Sequence, residues 1–113
     1  MQNNIEFPPS IKFREAVGNI IKLSDTPKGA TAYFELDDLS HPSPVPVRIG
    51  VFFDGKEVAF REAITPVVLP FEVVVDRGVL LSHVEKRVDI TYRFVFGSNV
   101  IQSPSDIFEI RHS

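Results

Sequence analysis

The sequence predicts an all-β protein, a Greek-key β-sandwich of about seven strands, and three observations carry that expectation. Apolar residues recur at every second position in several short segments, above all from Val88 to Phe96. Nine prolines and six glycines cut the chain into pieces too short for long helices. The 113 residues suit one core rather than two, so residues 1–113 are read as a single domain.

Taken in order, the elements begin weakly. Pro8-Pro9 predicts an extended lead-in, Ile11 and Phe13 a short edge strand, and Gly18 to Leu23 a second one. Ala30 to Leu36 then alternates, with Ala30, Ala32, Phe34 and Leu36 inward against Thr31, Tyr33 and Glu35. Val47 to Phe53 repeats the pattern, placing Val47, Ile49, Val51 and Phe53 opposite Arg48, Gly50 and Phe52. Asp54-Gly55 follows at once, and both residue types tolerate positive φ, so a tight hairpin into Lys56 to Phe60 is expected. Phe71 to Val75 alternates again.

Val79 to Val84 fits a strand or a short helical turn, and a turn crossing between the sheets is the expectation. From Val88 to Phe96, Val88, Ile90, Tyr92, Phe94 and Phe96 share one face, while Asp89, Thr91, Arg93 and Val95 share the other. Asn99 to Ser103 and Ile107 to Arg111 form a last pair of strands. Between them stands Ser103-Pro104-Ser105, where proline cannot donate to a ladder, so either a bulge or a strand changing sheets is expected.

Composition narrows the function. With 43% apolar and 24% charged residues the chain should fold, and ten Phe without a Trp supply large rings that bury no polar atom. A net charge of -3, with Lys and Arg dispersed, argues against nucleic acid as a partner. The absence of cysteine excludes disulfides and thiolate metal sites. Met1 to Glu6 has neither a basic stretch nor an apolar one, so no secretion signal is read there, and no apolar run approaches the ~18 residues of a membrane span.

No chemistry of catalysis is visible. His41, His83 and His112 lie far apart, with no spacing that sets two ligands on one metal. There is no G-x-S-x-G elbow and no glycine-rich phosphate loop, so neither an enzyme nor a cofactor is expected. The candidate binding surface is Asp37, Asp38, His41, Phe52 and Asp54, gathered around the loop Ser40-His41-Pro42-Ser43-Pro44, with Tyr33 as a neighbour. A protein or carbohydrate partner would suit it. Asp37-Asp38 with Asp54 or Asp76 could offer oxygens to calcium, although no D-x-D-x-D-G series is present and a solvated loop is expected. An outward Phe52 between polar positions is expected to bury against an edge or a neighbouring domain.

Several segments, in order, carry a resemblance: Pro8-Pro9-Ser10-Ile11, Glu15-Ala16-Val17-Gly18-Asn19, Gly29-Ala30-Thr31-Ala32, Pro70-Phe71-Glu72-Val73-Val74-Val75, Val88-Asp89-Ile90-Thr91-Tyr92-Arg93 and Ser103-Pro104-Ser105. Over most of its length the chain resembles the bacterial immunoglobulin-like repeats of large multi-repeat surface or secreted proteins of pseudomonads. It departs from them at Phe52-Phe53-Asp54-Gly55, where a tryptophan usually precedes the glycine. The resemblance implies an immunoglobulin-like sandwich that spaces, stiffens or adheres, at the cell surface or secreted, with no catalytic residues to transfer. A stand-alone protein that binds a carbohydrate, peptide or protein through its loops is the alternative, and self-association through exposed edge strands a third possibility.

Overall fold

A computed structural model describes residues 8–113, so the reading of Met1 to Glu6 lies outside the described residues. The described strands are β1 Ile20–Lys22, β2 Ala30–Phe34, β3 Pro46–Phe53, β4 Lys56–Ile64, β5 Phe71–Val75, β6 Lys86–Phe96, β7 Asn99–Gln102 and β8 Asp106–Arg111, with a helical turn, α1 Arg77–Leu81, between β5 and β6. The larger sheet runs β1-β8-β6-β3-β4, with β7 also on β6, and the smaller one pairs β2 with β5. Hairpins join β3 to β4 and β6 to β7, β7 continues into β8 within the larger sheet, and the other links cross between sheets. This is an all-β sandwich.

The alternation that predicts the strands is the alternation that builds the core. Val88, Ile90, Tyr92 and Phe94 of β6 are buried beside Val47, Ile49, Val51 and Phe53 of β3. Ala30, Ala32 and Phe34 of β2 and Phe71, Val73 and Val75 of β5 close over them from the other sheet. Rings meet across the layers edge to face, Phe34 on Tyr92 at 4.9 Å and Phe13 on Phe108 at 5.4 Å. Phe96 is only partly buried, because β6 runs past the core at its far end.

The hairpin forms as the sequence predicts, with φ of 50° at Asp54 and 83° at Gly55. β4 continues to Ile64, four residues beyond Phe60, because β3 pairs with it all the way to Pro46. Its solvent exposure hides that length from any apolar pattern. β2 ends at Phe34, and Leu36 instead leads into a 3-10 turn at Asp37–Ser40.

At Ser103-Pro104-Ser105 the structure selects the bulge. β7 and β8 both pair with β6, above and below the break, so no strand changes sheets there. Ser103 keeps the ladder joined: its N–H donates to Tyr92 O at 3.0 Å, and its Oγ accepts the Tyr92 N–H at 2.8 Å.

The change of sheet occurs at the other end of the sequence. Lys12 and Arg14 pair with β2, through Tyr33 N–H to Lys12 O at 3.1 Å and Arg14 N–H to Thr31 O at 2.9 Å. The chain then turns at Val17 to Ile20, with Gly18 at a φ of 59°, and joins β8 of the other sheet as β1, in parallel. Glu15 holds the gap it leaves behind, accepting the Thr31 N–H at 2.8 Å and the Thr31 hydroxyl at 2.9 Å. On the opposite side, the free edge of β5 is partly covered by Arg61, which donates to Glu72 O at 3.1 Å and lies 4.4 Å from the Phe71 ring centre.

Candidate functional site

Strand directions sort the loops into two poles. β3 runs away from the pole that carries the β2–β3 loop, the β4–β5 loop and the β6–β7 turn; the β3–β4 hairpin, α1 and the end of β8 lie at the opposite one. The proline-rich loop therefore sits against Thr65 to Pro70. Three of the five residues from Pro42 to Pro46 are proline, and backbone donors are scarce where proline stands. Thr65, buried, supplies the missing partners: its hydroxyl donates to Ser43 O at 2.6 Å and accepts the Val45 N–H at 2.8 Å. Val67 N–H reaches Leu39 O at 3.0 Å, and the Leu39 side chain is fully buried beneath the turn.

Of the five expected surface residues, three lie together. Asp37 and Asp38 are exposed in the 3-10 turn, and His41 follows it. The His41 ring packs 5.5 Å from Phe96, and its Nδ1 accepts the Ser43 N–H at 3.1 Å, so it shapes the loop from within. Asp54 lies at the opposite pole, removed by the eight residues of β3, or roughly 25 Å of strand. There it ties the hairpin to β6: its Oδ1 accepts the Asp89 N–H at 2.9 Å, and its N–H donates to Asp89 O at 2.8 Å.

Phe52 belongs to neither pole. It is half-buried on the outer face of the larger sheet, with the Arg93 guanidinium 4.9 Å from its ring centre. The five residues are thus not one surface. The calcium arrangement fails for the same reason, since Asp54 and Asp76 both lie at the pole opposite Asp37 and Asp38. Among the described residues no group of three or more His, Asp or Glu stands close enough to hold a metal ion.

What sequence reasoning missed is a cavity of about 380 Å³ beside the 3-10 turn. Leu36, Phe94 and Ile101 give it apolar walls, Pro8 and Pro9 bound one side, and Glu35, Asp37 and Asp38 stand at its rim. Tyr92 also lines it, and its hydroxyl donates to Pro9 O at 2.6 Å, fixing the leading segment to the core. Burial pushes the phenol up to about 12. The alternation marked Tyr92 as core, but nothing in the sequence pairs it with a proline carbonyl 83 residues away.

On the outer face of the larger sheet, Gly50 makes room for a polar cluster. A Cβ there would stand 2.3 Å from Glu57 Oε2, so only glycine lets Glu57 lie across the sheet and accept from Arg48 at 2.6 Å. That bond, above all, raises the Arg48 pKa beyond its ordinary value. Arg48 also covers the exposed ring of Phe60 at 4.0 Å.

Tyr33, expected on the outward face of its strand as a neighbour of the loop, lies half-buried on the smaller sheet with Arg14 4.9 Å from its ring centre. His83 packs edge-on against Phe53 at 5.2 Å. Among the described residues no helix is long and apolar enough to cross a membrane. Comparison with protein-family models, with curated proteins and with solved structures returned no match.

Proposed function

We propose that this domain is a non-enzymatic structural or adhesive module, a unit of a larger bacterial surface or secreted assembly. The observation that supports this reading is the path of the chain through the sandwich. Pro8 and Pro9 lie beside the β2–β3 loop, and β8 runs out at the other pole, in a body measuring 46 × 31 × 22 Å. A sandwich entered at one pole and left at the other can be strung end to end with its neighbours without its loops being displaced. The ordered resemblance to immunoglobulin-like repeats points the same way.

The cavity beside Asp37 favours the second reading, a protein that holds a carbohydrate or peptide partner at that pole. A glycan array and a pull-down separate the two. Both should stay silent for the native chain if it is a spacer. A sugar or protein retained by the native chain, and lost when residues 37–46 are replaced by a glycine-serine loop, would overturn the spacer reading in favour of the binding one.

A further inference from the structure

We propose that the cavity beside Asp37 seats cationic side chains from the opposite pole of a second copy of this chain, so that units join head to tail. This deepens the structural-module reading and rests on it, since units strung pole to pole bring those two ends face to face. The ends differ in charge. Residues 35–47, 63–70 and 96–102, which make the cavity pole, carry Glu35, Asp37 and Asp38 and no Lys or Arg. All three carboxylates are exposed at the cavity rim, and among the described residues none has an ion-pair partner. Like charges this close repel, and a cation seated at the rim relieves that repulsion.

The opposite pole is the complement. β1 ends there on Lys22, β8 ends there on Arg111, and β6 starts there with Lys86 and Arg87. The parallel register sets Lys22 directly beside Arg111, a like-charge pair that is unfavourable in a sheet until an anion meets it. The carboxylates nearest these strand ends are already engaged: Glu109 accepts from Arg111 at 3.0 Å, and Glu85 accepts the His112 N–H at 2.9 Å. The cavity also suits the shape of such side chains. Leu36, Phe94 and Ile101 offer apolar walls to an aliphatic stem, and the rim carboxylates meet its charged head. Because the two joined surfaces differ, each union leaves one cavity and one cationic end open, and association continues without a fixed size. Pairing of two β4 edges across a two-fold axis, by contrast, closes at a dimer.

Sedimentation velocity of the whole chain, with amide shifts followed on dilution, tests the union. At low ionic strength the sedimentation coefficient should rise with concentration and pass the dimer value. The rise should be lost at about 1 M salt, where the Debye length is about 3 Å. Dilution should move amides at both poles, at Asp37, Asp38 and Ile101 and at Lys22 and Arg111. Asp37→Lys with Asp38→Lys should abolish association, and so should Lys22→Glu with Arg111→Glu, each chain keeping a native amide spectrum away from the substituted end. Mixing the two double variants should restore it, because the native cationic end of the first meets the native cavity of the second. Ile101→Trp, which fills the cavity without changing charge, should abolish it too. A chain that stays monomeric at high concentration and low salt would overturn the proposal, as would a plateau at the dimer or dilution shifts confined to one pole or running along β4. Native association in Ile101→Trp, or a mixture no more associated than its parts, would do the same. Each of those results leaves the spacer reading standing, whereas a glycan or foreign protein retained by the chain would remove that reading whatever the self-association.

Discussion

Tyr92→Ala should destabilise the domain by about 3–5 kcal/mol in urea denaturation, the range for removing a fully buried aromatic ring. The ring is wholly inaccessible, it packs edge to face on Phe34 at 4.9 Å, and it lines the wall behind the leading segment. Tyr92→Phe separates the ring from its hydroxyl. Losing the bond to Pro9 O should cost about 1 kcal/mol and free residues 8–11 from the core, read as faster amide exchange at Ser10 and Ile11.

The hydroxyl also ties stability to pH. Its pKa is about 12 in the folded chain against 10 for the free side chain, because burial disfavours the phenolate. Above pH 10 the unfolded chain loses this proton first, so it binds fewer protons than the folded chain and stability falls as pH rises. The loss runs through the window from 10 to about 12 and amounts to something on the order of 2 kcal/mol. Tyr92→Phe should flatten that part of the profile. An unaltered alkaline profile in the variant would show that this hydroxyl is not the group responsible.

Gly29→Ala should be nearly as damaging, for a different reason. Gly29 has a φ of 107°, and a Cβ there would stand 2.3 Å from the carbonyl oxygen of Val75. Backbone strain and overpacking then act together, for roughly 3–5 kcal/mol. The clash falls on Ala30–Val75, the outermost pair joining β2 to β5, so the smaller sheet must open at its base to relieve it. Gly78→Ala is the matched control. It lies in α1 with nothing within 4 Å of the added Cβ, and should stabilise by about 0.4–1 kcal/mol. Similar denaturation midpoints for the two variants would refute the close approach at Gly29.

The strands were legible because one face of each is buried, and burial writes period two into β2, β3, β5 and β6. β4 was only half visible. It lies at the edge of the larger sheet with exposed Phe60, Arg61 and Glu62, and nothing obliges such a strand to alternate. The site was legible only in part, since which loops share a pole follows from sheet order. Asp37 and Asp54 both follow strands and both resemble loop acids, yet the antiparallel course of β3 sends them to opposite ends. Side-chain bonds that replace backbone ones were hidden for a related reason. Glu15 on Thr31 and Thr65 on Ser43 join residues 16 and 22 positions apart, and no local pattern announces such a pairing.

The proposed module depends on a chain that passes from one pole to the other, with β1 crossing to the larger sheet and lying parallel to β8. Residue-resolved nuclear magnetic resonance examines that pairing most directly. Cross-strand contacts between Ile21 and Ile110, together with slow exchange of the Glu109 amide through its bond to Asn19 O, are the expected result. Rapid exchange at Glu109, or contacts placing β1 antiparallel or on the smaller sheet beside Lys12, would contradict the parallel pairing and the pole-to-pole path with it.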